Sequence, residues 1–218
     1  MARYNGTSPD GGDSLTTNLN EWYSTGDIAW ILTASAFVWL MIPGVGFFYS
    51  GLTGKKSALS MIFLSFLCVS IVFVQWFLWG YSLVFSKTGG RFIGNLDNVG
   101  LRDVLAEPSG DIPDLVFALF QGMFSAFTAA LTIGAAAERG RILPSMVFAF
   151  VWSTLVYDPI ASWTWNANGW ASKLGVLDFA GGTPVHITSG ASALAYAIVI
   201  GRRREINKVS PNPSCLPW

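Results

Sequence analysis

Apolar residues run in five stretches, each near or above the roughly 20 residues needed to cross a hydrocarbon core: Ile28–Tyr49, Ala58–Phe85, Ile112–Ala137, Ile142–Trp163 and Thr183–Ile200. The second exceeds what a bilayer requires, which predicts a tilted helix. Small residues recur inside the runs, as in Gly44-Val45-Gly46 and Ile133-Gly134-Ala135-Ala136-Ala137. Such residues let helix backbones approach closely where lipid gives no hydrophobic drive for association. Pro43 lies well within the first run and predicts a kink, whereas Pro144 falls in the first turn of the fourth, where proline is tolerated. The longest stretch between runs, Lys87–Asp111, holds Gly89-Gly90, Pro108 and charges of both signs. The pattern predicts an all-α integral membrane bundle of five transmembrane helices.

Composition agrees and adds direction. Of 218 residues, 52% are hydrophobic, 15% aromatic and 12% charged, about half the charge share of a soluble domain. Disordered, coiled-coil and disulfide-scaffold classes are excluded, and the two cysteines, Cys68 and Cys215, make no framework. A net charge of zero leaves no basic face for nucleic acid. That balance hides a segregation. Lys55, Lys56, Arg139, Arg141, Arg202, Arg203, Arg204 and Lys208 fall on one side of the predicted spans, while Asp10, Asp13, Glu21, Asp27, Asp97, Asp103, Glu107, Asp111 and Asp114 gather on the other. The positive-inside rule then places the amino terminus outside and the carboxyl terminus in the cytoplasm. Three segments follow: an extracellular stretch 1–27, a five-span domain 28–201 and a cytoplasmic tail 202–218. The first lacks the apolar core of a cleavable signal, so the first span serves as its own insertion signal. Asn5-Gly6-Thr7 is a glycosylation sequon on the outer side, and Cys215 lies where thiols stay reduced.

Ionisable side chains inside apolar runs are costly, and each is a functional candidate by default. Asp178 precedes Phe179-Ala180-Gly181-Gly182 and the fifth run, where a carboxylate can cap the helix start and also favour an approaching cation. His186, the one histidine, is either a packed core residue or an imidazole facing the bundle interior that exchanges a proton. Zinc or haem would need further ligands at helical spacing that the sequence does not offer. Asp158-Pro159 reads as a break in the fourth helix, its carboxylate reaching water or capping. Trp163, Trp165 and Trp170 cluster with Asn166 and Asn168 beyond the fourth run. They suit an interfacial belt or a cation–π site.

The string Leu177-Asp178-Phe179-Ala180-Gly181-Gly182-Thr183-Pro184-Val185-His186 resembles the signature of the ammonium transporter family, Amt/Mep with the Rh proteins as distant relatives. Gly44 to Gly51 (GVGFFYSG), Phe120-Gln121-Gly122-Met123-Phe124, Ala135-Ala136-Ala137-Glu138-Arg139 and Trp152 to Ala161 (WSTLVYDPIA) resemble further family motifs, in family order. The outer amino terminus with its sequon and the run Trp163-Thr164-Trp165-Asn166 are similar to the fungal Mep branch.

The resemblance implies the first of two inverted five-helix repeats in an eleven-helix fold of the plasma membrane, assembled as a homotrimer or a mixed trimer with homologues. It implies ammonium and ammonia as cargo, no cofactor, and no enzymatic activity. Trp165 would recruit ammonium by cation–π contact, and Phe124 would be one of two stacked phenyl rings gating the pore. Asp178 would hold the vestibule and favour the cation, and His186 would be the first of two pore histidines. Ammonium would shed its proton so that ammonia crosses an apolar pore, which spares the cost of burying a charge; potassium has no proton to shed. The family pattern runs to Arg204, and the sequence beyond it matches no family motif, so an incomplete product of the family is expected. The alternative implied role is a nitrogen-status sensor or a non-transporting partner of full-length homologues.

Overall fold

Helix α1, Thr25–Leu52, begins where Ser24 accepts a hydrogen bond from the Asp27 amide (3.2 Å), with Asp27 itself in the positive first turn. The chain is described from a computed structural model covering residues 23–104 and 108–201. The Asn5 sequon and the tail with Cys215 lie outside the described residues. Helix α2, Lys55–Gln75, runs through a π-helical turn, Trp76–Gly80, into α3, Tyr81–Phe85. The long loop after α3 then carries a short two-stranded ladder, β1 Pro108–Ser109 with β2 Ile112–Pro113, before α4, Asp114–Ile133. Helix α5, Ile142–Trp152, passes through a second π-turn, Ser153–Tyr157, into α6, Asp158–Trp165. The short α7, Trp170–Lys173, precedes a third π-turn, Gly182–Ile187, and α8, Thr188–Ile200. Five long apolar helical segments result, at Thr25–Leu52, Lys55–Phe85, Asp114–Ala136, Ile142–Lys173 and Gly182–Ile200. The five-span expectation holds, with ends within three residues of those expected except in the fourth, which runs to Lys173 rather than Trp163.

Helix α4 is the most enclosed of the five and stands between α1, α2, α5 and α8. Its Ala126, Ala129 and Ala130 are buried, and their small size permits close approach from several sides. Its threonines satisfy their hydroxyls within the helix: Thr128 Oγ1 donates to Phe124 O (2.6 Å) and Thr132 Oγ1 to Thr128 O (3.1 Å). Gly46 brings α1 against α2, since a Cβ there would lie 3.0 Å from Ser65 Cβ. Gly44, by contrast, faces open space. Pro43 sits inside α1 without ending it.

Polar bonds tie the ends of α1, α2, α4 and α8. Glu138, at a left-handed φ of 66°, accepts at Oε1 from the Gly54 amide that opens α2 (2.6 Å). Arg139 donates to Ala135 O (3.1 Å) and to Gly201 O at the end of α8. Tyr49 of α1 donates its hydroxyl to Leu131 O of α4 (3.0 Å).

Asp158 differs from the sequence expectation. The fourth span does not stop there, and the carboxylate neither reaches water nor caps a free end. It is wholly buried and accepts a hydrogen bond from Gln75 Nε2 at 2.6 Å. Pro159 has no N–H for Leu155 O and would crowd that carbonyl in a regular helix. An extra residue in the preceding turn accommodates the ring, so the helix widens and continues.

Candidate functional site

An aromatic row lies where α4 and α6 meet. Phe120 and Phe124 are one helical turn apart on α4, and their rings meet edge to face at 5.0 Å and 84°. Trp165, the last residue of α6, meets Phe124 at 6.2 Å and 66°. Both spacings and angles suit the aromatic quadrupole. Trp165 and Phe124 are half-buried, so part of each ring remains accessible.

Asp178 adjoins this row through the backbone. Trp165 Nε1 donates to Asp178 O at 2.8 Å, which fixes the indole relative to the loop before the fifth span. The Asp178 carboxylate turns toward that span and accepts from the Gly182 and Thr183 amides, each at 2.6 Å. Burial opposes its charge, yet the amides of Thr183, Gly182 and Gly181 outweigh it and hold the carboxyl below the usual carboxylate range. Gly181 adopts φ 80°, and a Cβ there would lie 3.0 Å from the Trp165 ring. Glycine thus serves both the left-handed turn and the close pass beneath the indole.

His186 lies in the π-turn Gly182–Ile187, which runs directly into α8 at Thr188. Its amide bonds to Gly181 O (3.2 Å), and its side chain is exposed in this chain, beside the exposed Ile187. Of the four residues expected in a pore or vestibule, Phe124, Trp165 and Asp178 come together. His186 follows further along the same helical segment and makes no contact with the aromatic row among the described hydrogen bonds and ring pairs. Among the described residues no three of His, Cys, Asp and Glu are placed to hold a metal.

The tryptophan cluster separates into two functions. Trp163 packs against Trp170 at 5.8 Å and donates to Phe92 O (2.7 Å), tethering the long loop between α3 and α4. Asn166 and Asn168 add bonds to Val84 O (2.7 Å) and Lys87 O (2.8 Å). Trp165 alone of the three turns to Phe124. Sequence reasoning passed over Phe120, whose position four residues before Phe124 on one helix was the available signal. It also passed over Gln75, since only ionisable residues had been counted.

Five long apolar helices with an aromatic row beside Asp178 make the class a polytopic helical membrane bundle. A model of the Ammonium Transporter Family matches residues 29–215, and the chain belongs to that family. It is 60% identical to Ammonium transporter 1 of Schizosaccharomyces pombe over 95% of this chain and 42% of that protein. It is 52% identical to Ammonium transporter MEP2 of Saccharomyces cerevisiae over 89% of this chain and 40% of that one. The crystal structure of Candida albicans Mep2 superposes with a TM-score of 0.86 at 50% identity, covering 95% of this chain and 47% of that one. A structure described as a Sensor Amt Protein matches at a TM-score of 0.76 and 28% identity over 86% of this chain. The chain thus spans less than half the length of these relatives, and the family is one of transporters, not enzymes.

Proposed function

We propose that this chain forms the outer cation-recruiting vestibule and the first half of the conduction path of an ammonium transporter. The observation that carries this reading is Trp165, held edge-on to Phe124 and bonded to the backbone of a charged Asp178. The indole offers a π face to a small cation, and the carboxylate field favours that cation near the positive helix start. Phe124 and Phe120 then present a narrow apolar threshold that a charged ion crosses only at high desolvation cost. Ammonium can give its proton to solvent water on the vestibule side of this threshold and proceed as ammonia, and His186 further along the fifth span can return a proton to it.

The same reading places the protein in the plasma membrane with its amino terminus outside and tail 202–218 inside, glycosylated at Asn5, within a homotrimer or a mixed trimer. Basic and acidic residues segregate accordingly. The test is labelled methylammonium uptake in cells without their own ammonium transporters. The chain is expressed there alone and also joined to the missing portion of the S. pombe relative. Uptake by the joined protein that is lost in its His186→Ala form supports the reading; uptake unaffected by that change removes His186 from the path.

A second reading has one observation in its favour, the match to the Sensor Amt Protein. A sensor or non-transporting partner would take up no methylammonium itself but would depress uptake when co-expressed with a full-length homologue.

A further inference from the structure

Two spans carry an extra residue in one turn at facing positions, and the polar pair that joins them has no part in the recruiting site. In the second span the π-turn Trp76–Gly80 follows Gln75 directly; in the fourth the π-turn Ser153–Tyr157 precedes Asp158 directly. Gln75 and Asp158 are wholly buried, and Gln75 Nε2 donates to Asp158 Oδ2 at 2.6 Å. A second bond runs alongside: Trp79 Nε1, inside the first π-turn, donates to Thr154 Oγ1, inside the second, at 2.9 Å. Gly80 leaves the space for this junction, because a Cβ there would lie 2.8 Å from Gln75 Oε1.

The placement matters because of what a π-turn does to the helix beyond it. If the extra residue were absorbed into regular α-helix, everything after it would rotate by about 100° and move by about 1.5 Å. In the fourth span that following piece is α6, which begins at Asp158 and ends at Trp165. Its far end is held by Asn166 Nδ2, which donates to Val84 O (2.7 Å) and Ser86 O (3.2 Å). Those carbonyls belong to α3 and its end, the piece that follows the other π-turn. Helices α3 and α6 therefore leave the paired π-turns side by side, and their common register decides where Trp165 stands over Phe124.

We propose that Gln75 and Asp158 are positioning residues: their bond locks the two π-turns in register and so holds Trp165 in its edge-on contact with Phe124. The pair works through hydrogen bonding and shape. Gln75 Oε1 and Asp158 Oδ1 have no partner among the described residues, so an amide at position 158 can accept from Gln75 Nε2 and offer its own NH2 to Gln75 Oε1. Leucine at either position removes the bond and leaves a polar group stranded in an apolar interior. The effect on cation binding rests on the recruiting role proposed for Trp165; the effect on where Trp165 sits does not.

The experiment is fluorine NMR of the full chain in lipid nanodiscs, labelled with 5-fluorotryptophan, the Trp165 line being assigned by its loss in Trp165→Phe. Asp158→Asn is expected to leave that line at its wild-type position, while Asp158→Leu and Gln75→Leu displace it. Should a single leucine variant fail to fold, Gln75→Leu/Asp158→Leu decides, because replacing both partners leaves no stranded polar group. Helical content shown by circular dichroism together with a displaced Trp165 line supports the proposal. A Trp165 line unmoved in the folded double variant, or moved as far by Asp158→Asn as by Asp158→Leu, overturns it. Titrating the same samples with methylammonium keeps the two ideas apart. If the wild-type line does not respond to the cation, the recruiting role of Trp165 fails while the comparison of line positions still judges the pair. If it does respond, the displaced variants should bind with apparent affinity lowered by about threefold or more.

Discussion

Two aspartates, twenty residues apart in sequence, show how much environment decides. Asp178 sits at a helix start, and its capping role follows from its position before Gly181-Gly182 and the fifth apolar run. The hydrogen bonds to Gly182 and Thr183 bear this out. Removing the carboxylate by Asp178→Ala is expected to cost about 1 kcal/mol, as for other caps, read as a lower thermal midpoint. The pH dependence follows from the depressed pKa. Because the folded carboxyl lies below its unfolded value of about 4, its contribution is complete above that value and fades as pH falls through the folded pKa. The protection of the Gly182 and Thr183 amides, taken relative to their intrinsic exchange rates at each pH, should therefore be high at neutral pH and fall only in acid, and in Asp178→Ala it should be low throughout. Asp158 was misread because an aspartate before a proline has the local signature of a helix break. Only the facing Gln75, 83 residues away, shows otherwise. Trp165→Phe separates the two tasks of the indole. It keeps a π face but deletes the donor to Asp178 O, so methylammonium binding should fall less than in Trp165→Leu while the Asp178 loop loosens.

At the scale of elements, the spans were legible because lipid demands long apolar runs, and that demand leaves a strong mark on sequence. The π-turns were not. Inside a run that is apolar all round, periodicity carries little phase, so one extra residue in a turn leaves no trace in the pattern. Pro159 and Pro184 were the local hints, each lying at or just after such a turn. Small residues were a partial guide. Of Gly44 and Gly46, only Gly46 packs closely on the next helix, against the Ser65 side chain and the Ile62 backbone. Gly46→Leu should therefore wedge α1 from α2 and cost about 1–3 kcal/mol in a denaturation series. Gly44→Leu, facing open space, should cost much less. Equal losses at the two positions would contradict this packing of α1.

For the whole molecule, the segregation of basic and acidic residues gave a direction to the bundle, and the polar ties at either end fit a body with two distinct faces. Glu138 and Arg139 bind the ends of α2, α4 and α8 on one side. Trp163, Asn166 and Asn168 bind the long loop on the other. If the amino terminus is outside, Asn5 carries glycan in a eukaryotic host, and endoglycosidase treatment sharpens and lowers the band; Asn5→Gln abolishes the change. Family membership, the fold and most of the aromatic row could be anticipated from motifs on this chain alone. The relation of Trp165 to Phe124 could not, because it depends on two helices whose register is set by buried contacts far apart in sequence.

The central question is whether the accessible face of the Trp165 indole takes a small protonated amine. Calorimetric titration of the full chain in lipid nanodiscs with methylammonium, beside Trp165→Leu in the same bilayers, measures this. Saturable binding by the wild-type chain, weakened roughly two- to thirtyfold by the substitution and not displaced by potassium at equal ionic strength, is the predicted result. Equal binding by the two proteins, or displacement by potassium as readily as by ammonium, would contradict it.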